Sequence, residues 1–169
     1  MPVNYLEAPG DLIDKETLQN VKAVEVVRSV EELDYYSLIE CRRVDSLNAD
    51  VAVFDAEIEI GQKTVHDIRK IERLAIIFSP EDTAPPEVFA LREDFPKVPH
   101  LNLRLEEKPR SLCLYDETYD AVKLHWTAAL CLERIRNWLS LTARGELHAT
   151  DQPLEPLLNA SSFLIYDDI

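Results

Sequence analysis

The chain is short of positive charge. Against 32 aspartates and glutamates it carries 18 lysines and arginines, for a formal charge of −14 and a pI near 4.6. Sequence-independent binding to DNA or RNA rests on neutralising phosphates with Lys and Arg, so nucleic acid is not an expected partner. Long apolar runs are missing too: none reaches ten residues. A helix that spans a bilayer needs about 20, so no membrane association is expected. The start, Met1-Pro2-Val3-Asn4-Tyr5, has neither the charged nor the apolar region of a signal peptide. Cysteine is scarce and unpaired: positions 41, 113 and 131 form no paired spacing. That suits a reducing cytoplasm and argues against a disulfide framework. Four histidines, at 66, 100, 125 and 148, are scattered with no His-x-x-x-His group. Neither a metal site nor a cofactor is expected.

What remains is an ordinary globular composition, 46% hydrophobic over 169 residues, enough for one domain spanning residues 1–169 with a full core. An early helix is suggested by Leu18, Val21, Val24 and Val27, capped by Asp14 or Thr17, although Val24 to Val30 is β-branched enough for a strand. Four strands follow: Tyr35 to Val44, Asp50 to Ile60, Leu74 to Phe78 and Glu87 to Leu91. In the second, Ala52, Phe54, Ala56, Ile58 and Ile60 alternate with Asp55, Glu57 and Glu59, which predicts one wet face. The continuous run Leu74 to Phe78 predicts a strand buried on both faces. Short connections predict an antiparallel meander. From position 123 the pattern changes to helix. Leu124, Ala128, Cys131, Leu132, Ile135, Trp138, Leu139 and Thr142 form one stripe, and Gly145 is a natural cap. The fold class is therefore α+β, a four-stranded antiparallel meander with a long helix packed on it.

The chemistry concentrates between Pro99 and Leu141. Pro99-His100-Leu101-Asn102 leads through Lys108-Pro109-Arg110 to Ser111-Leu112-Cys113-Leu114-Tyr115, then an acidic loop (Asp116, Glu117, Asp120) and His125-Trp126. A leucine-flanked cysteine here is either a packed thiol or a nucleophile. Cys131 on the helical stripe and Cys41 inside a strand read as core. Trp126 and Trp138 read as core anchors.

In this order the residues resemble the ubiquitin-conjugating enzymes. Those proteins have a four-strand meander, a proline-rich descent, a His-Pro-Asn element, an active cysteine followed by leucine, and a tryptophan that opens a long helix. The counterparts are the strands to Leu91, Phe95-Pro96-Lys97-Val98, His100-Leu101-Asn102, Leu112-Cys113-Leu114 and Trp126-Thr127-Ala128-Ala129-Leu130. Leu101 stands where the family has proline. The run from Trp138-Leu139 through Gly145-Glu146-Leu147-His148 to Asp151-Gln152-Pro153-Leu154-Glu155-Pro156 is similar to the bacterial branch. Its members are often fused to, or encoded beside, an adenylating activating enzyme and a JAB-type metalloprotease. The likeness covers residues 30–156, leaving 157–169 as a linker or extension. The ending Asp167-Asp168-Ile169, directly after an apolar run, suggests a domain cut from a longer protein.

The resemblance implies that Cys113 carries a ubiquitin-like protein as a thioester, received from an activating enzyme and passed to an amine on a target protein. It also suggests an antiphage role. A thiol suits this work because it attacks as thiolate and its thioester remains reactive towards amines. Arg110 would favour the thiolate, and Asp116 and Glu117 would oppose it. Those same carboxylates, Asp116 and Glu117, could also hold or deprotonate the incoming amine, and the Asn102 amide could donate to the oxyanion. Two rival readings stand beside this one. One is a non-catalytic module of the same fold that binds a ubiquitin-like protein or activating enzyme. The other is a cysteine hydrolase pairing Cys113 with His125 or His148.

Overall fold

A computed structural model describes residues 3–104 and 108–147. The tail from position 148, with His148, the Ser161 to Tyr166 run and the 157–169 extension, lies outside the described residues.

One antiparallel sheet organises the chain. Its strands are β1 (Asp11–Ile13), β2 (Tyr36–Val44), β3 (Ala49–Glu57), β4 (Ile71–Phe78), β5 (Glu87–Ala90) and β6 (Arg110–Ser111), adjacent in sequence order throughout. The expected meander is present as β2 to β5, but the sheet has six strands rather than four. The two additions are a three-residue and a two-residue edge strand, too short to carry a period-two signal. Such short edges offer little template for pairing with another chain.

The inner face of the sheet buries Ala52, Phe54, Ala56, Leu74, Ile76, Phe78, Val88 and Ala90 against α1 (Val21–Glu32) and α3 (Ala128–Arg144). α1 is a helix despite its valines, because Ala23, Val26, Val27 and Val30 make a buried stripe. Its cap is Asn20, whose side chain accepts from the N–H groups of Lys22 and Ala23, and not Asp14 or Thr17. Asp50 of β3 accepts from the backbone N–H groups of Gln19 and Asn20, both at 2.7 Å, and pairs with Arg43 through its other oxygen. That carboxylate fixes where α1 begins on the sheet. In α3 the stripe is buried as expected from Ala128 to Thr142, with Thr127 as N-cap and Gly145 (φ 70) as left-handed C-cap. Complete burial of Leu132, Ile135 and Leu139 is worth about 1.5–3 kcal/mol each. Leu124 does not belong to this stripe. It is 88% exposed, because α2 (Tyr119–Lys123) is a separate five-residue helix that ends before Trp126.

The outer face corrects the reading of β3. Val51 and Val53 are buried there in a second cluster with Ala8, Val44, Ala49, Ala75, Ile77, Phe89 and Leu91. The N-terminal segment crosses this face: the Leu6 N–H donates to the Leu91 carbonyl, and Arg42 Nη1 donates to the carbonyls of Ala8 and Gly10, each at 2.8 Å. Only the far end, Asp55 and Glu57 in β3 with Glu59 just beyond it, has the wet face that its alternation predicts. Beyond β5, the buried Arg92 guanidinium donates to Glu72 at 3.0 Å, bonds Asp94 at 2.8 Å and lies over the Phe95 ring. This anchors the descent of Phe95 and Val98 towards the site.

Candidate active site

After Val98 the chain returns along β6. Leu101 and Leu112 form an antiparallel bridge, flanked by hydrogen bonds from the Asn102 N–H to the Ser111 carbonyl and from the Cys113 N–H to the His100 carbonyl, both 2.9 Å. This register sets His100, in left-handed backbone (φ 60), opposite Cys113. It brings His100, Asn102 and Cys113 together, as their order in the sequence implied. Leu112 and Leu114 turn inward to the core, so the cysteine between them points away from it.

The three thiols differ. Cys41 and Cys131 are buried in the main core, at 3% and 2% exposure, as their flanks predicted. Cys113 is half-buried, on backbone that belongs to neither strand nor helix, with Sγ 3.9 Å from the Tyr115 carbonyl. Burial raises its thiol above the ordinary cysteine value, and the Asp116 charge raises it further. Arg110, expected to favour the thiolate, has its backbone in β6 paired with Ala90.

The loop beyond the cysteine is pinned by Arg134, which lies off the buried stripe of α3. Arg134 Nη1 donates to the Leu114 carbonyl and to Glu117, each at 3.2 Å, and its guanidinium lies 4.6 Å from the Tyr115 ring centroid. Arg134 holds the Glu117 carboxyl below its usual range. Asp116, next to it, is exposed. Further along, Lys22 of α1 donates to Asp82 and to the Tyr119 hydroxyl, each at 2.5 Å, and sits 4.9 Å over the Trp126 ring. The same Asp82 pairs with Lys123 at 3.0 Å. This clamp ties α2, the β4–β5 turn and α1 together, so the acidic loop is held at both ends.

Asn102 is engaged. Its Nδ2 donates to Ser111 Oγ at 2.8 Å and approaches the Leu112 carbonyl at 3.4 Å. Ser111 Oγ in turn donates to Glu87 at 2.7 Å. Sequence reading gave Ser111 and Glu87 no role, since the contacts that define one run between β5, β6 and the segment bridged to β6. His125 is exposed, and its N–H donates to the Val122 carbonyl at the end of α2.

A six-stranded antiparallel sheet, a helix packed on its inner face and a half-exposed cysteine on the connection between them make the frame of a ubiquitin-conjugating-like domain. The chain belongs to prokaryotic E2 family A, whose model matches residues 16–165. A comparison with curated proteins finds no match. Family membership gives a role in ubiquitin-like conjugation, with a ubiquitin-like protein and its activator as partners. Among the described residues no helix is long and apolar enough to cross a membrane.

Proposed function

We propose that this protein is the carrier in a ubiquitin-like conjugation reaction, with Cys113 as the acyl acceptor. The observation that carries the reading is the contrast among the thiols: two sit in the core and one, Cys113, lies half-exposed beside the bridged segment. In loading, the Cys113 thiolate attacks the carbonyl of a thioester between the ubiquitin-like protein and the activating enzyme. A new Sγ–C bond forms, and the activating enzyme's thiolate leaves. In discharge, the amine of a target attacks the same carbon, an N–C bond forms, and Cys113 leaves as thiolate. The amine's proton goes to Asp116 or to water. Asn102, with its amide against the Leu112–Cys113 peptide, is the donor to the oxyanion in both steps.

A raised thiol suits a carrier. A more basic thiolate is a poorer leaving group, so its thioester resists stray attack until an amine is brought to it. The cost is a smaller thiolate fraction at neutral pH, which matters little when the activating enzyme delivers the acyl group directly to the sulfur. Among the described residues no hydrogen bond orients the exposed His125 ring, so His125 gives no support to a hydrolase, while the other candidate base, His148, lies outside those residues.

The test is to mix the protein with its activating enzyme, ATP and ubiquitin-like protein, and to separate the products without reductant. A thiol-sensitive adduct is expected that disappears in Cys113→Ser and persists in Cys41→Ser. The opposite pattern moves the site to Cys41, and no adduct with wild-type protein ends the carrier reading.

A further inference from the structure

Two neighbouring strands and the segment bridged to them each contribute one side chain to a hydrogen-bond chain that ends at the Leu112 carbonyl, one residue before Cys113. Glu87 comes from β5, Ser111 from β6, and Asn102 from the segment bridged to it. Ser111 is completely buried, and Glu87 is largely so, with Arg104 Nη1 3.9 Å from its carboxylate. The direction of the chain is set at the glutamate. A carboxylate only accepts, and a hydroxyl has a single proton. With that proton given to Glu87, the lone pairs of Ser111 are left to accept from Asn102, and the amide must present nitrogen rather than oxygen. Burial raises the Glu87 carboxyl, while Ser111 and Arg104 act to keep it ionised. The second Asn102 contact, to the Leu112 carbonyl, is long at 3.4 Å and therefore easily given up.

Resting on the reading of Cys113 as an acyl carrier, we infer that Glu87 and Ser111 are positioning residues for Asn102. They grip one proton of its amide and keep the other available to the oxyanion that forms on the Cys113 thioester. Without the glutamate, Ser111 is free to turn its proton towards Asn102. The amide can then flip and present its oxygen, which repels an oxyanion instead of binding it.

The test uses a small acyl group, so no cognate partner is needed. S-phenyl thioacetate loads Cys113: the thiolate attacks the acetyl carbon, an Sγ–C bond forms, the donor's S–C bond breaks, and thiophenolate leaves. After excess donor is removed, free lysine is added. Its amine attacks the acetyl carbon, Cys113 leaves as thiolate, and the amine's proton goes to water. The limiting single-turnover rate and the half-saturating lysine concentration are measured separately. Asn102→Ala should lower the limiting rate by about 10²-fold, the scale of a lost oxyanion donor. Glu87→Leu should lower it by about tenfold with half-saturation unchanged, since misorientation costs less than loss. Glu87→Gln, which keeps an acceptor oxygen, should restore most of it. The double variant Glu87→Leu/Asn102→Ala should be no slower than Asn102→Ala alone, because a residue acting through another shows no separate effect.

Wild-type far-UV circular dichroism and wild-type alkylation of Cys113 by iodoacetamide, a reaction with no oxyanion, show that a variant is folded with its thiol in reach. Should Glu87→Leu fail that check, Ser111→Ala, which removes one buried oxygen, is read by the same criteria. A wild-type limiting rate in the variant that loads, or losses that add in the double variant, overturns the relay and leaves the carrier reading standing. Wild-type protein that takes no acetyl group on Cys113 removes both.

Discussion

Cys113 and Cys131 are two free thiols reached through the same loop, and burial raises both. Cys131 lies wholly inside, under the loop that Tyr115 begins, and its thiol is pushed up to about 11. Cys113 is also raised, yet it sits between two inward leucines on backbone that leaves the sheet. The difference between them is reach rather than acidity. A carrier must meet a peptide tail and then an amine, so access decides the role and thiolate fraction only tunes it. The contrast is open to attack at several points.

The largest expected difference is in reactivity. Iodoacetamide should modify Cys113 in the native protein, while Cys131 reacts only when the core opens. For ordinary domain stability that means a rate lower by about 10³-fold or more. Peptide mapping by mass spectrometry after brief labelling would show it. Equal labelling of the two positions would erase the distinction on which the site assignment stands.

Stability should separate them next. Cys131→Ser places a hydroxyl where the thiol is fully enclosed by the helix stripe and the sheet. Enclosing a hydroxyl in place of a thiol costs about 1–3 kcal/mol in proteins, with the Tyr115 hydroxyl beside it holding the loss to the lower part of that range. Cys113→Ser meets solvent and should stay within about 0.5 kcal/mol of wild type. Urea midpoints at constant slope would measure both, and a loss at Cys113 as large as that at Cys131 would mean that its sulfur is packed.

Arg134 sharpens the comparison in a different way, because it holds the covering loop in place. Arg134→Ala removes its bonds to the Leu114 carbonyl and Glu117 and its stack on Tyr115. A pair of partly exposed bonds is worth about 1 kcal/mol or somewhat more in total. The loop should loosen and native-state labelling of Cys131 should rise severalfold, with Cys113 changing little. Unchanged protection at Cys131 would show that the loop stays in place by packing alone.

Much of this arrangement is legible in the chain, and the failures have physical causes. Cys113 stands out because Lys108-Pro109 before it and the acidic loop of Asp116, Glu117 and Asp120 after it interrupt any regular period, while Cys131 falls on a 3–4 stripe. The wet face of β3 is misread because its charges, Asp55 to Glu59, occupy only one end. Val51 and Val53 carry no label for the N-terminal segment that covers them. Leu124 fits the helical period but falls before the Thr127 cap, so periodicity alone overruns the true start of α3. Glu87 and Ser111 look like strand filler, since no local pattern announces a contact between residues of different strands.

The smallest effect tests the Asp116 charge that acts on Cys113. Asp116 is exposed and raises the thiol, so the thiolate appears only as pH climbs past the ordinary cysteine value. Asp116→Asn removes that charge. The profile of Cys113 alkylation against pH should then move to lower pH, with a faster rate at neutral pH. The gain should be severalfold at most, because water screens an exposed carboxylate. Added salt should move the wild-type profile the same way and the variant's hardly at all. Discharge of a Cys113 thioester onto lysine supplies the opposing sign. A carboxylate that receives the amine's proton makes Asp116→Asn slower in discharge even as its alkylation quickens. If both rates rise together, Asp116 only holds the thiol back, and the proton of the amine leaves by way of water.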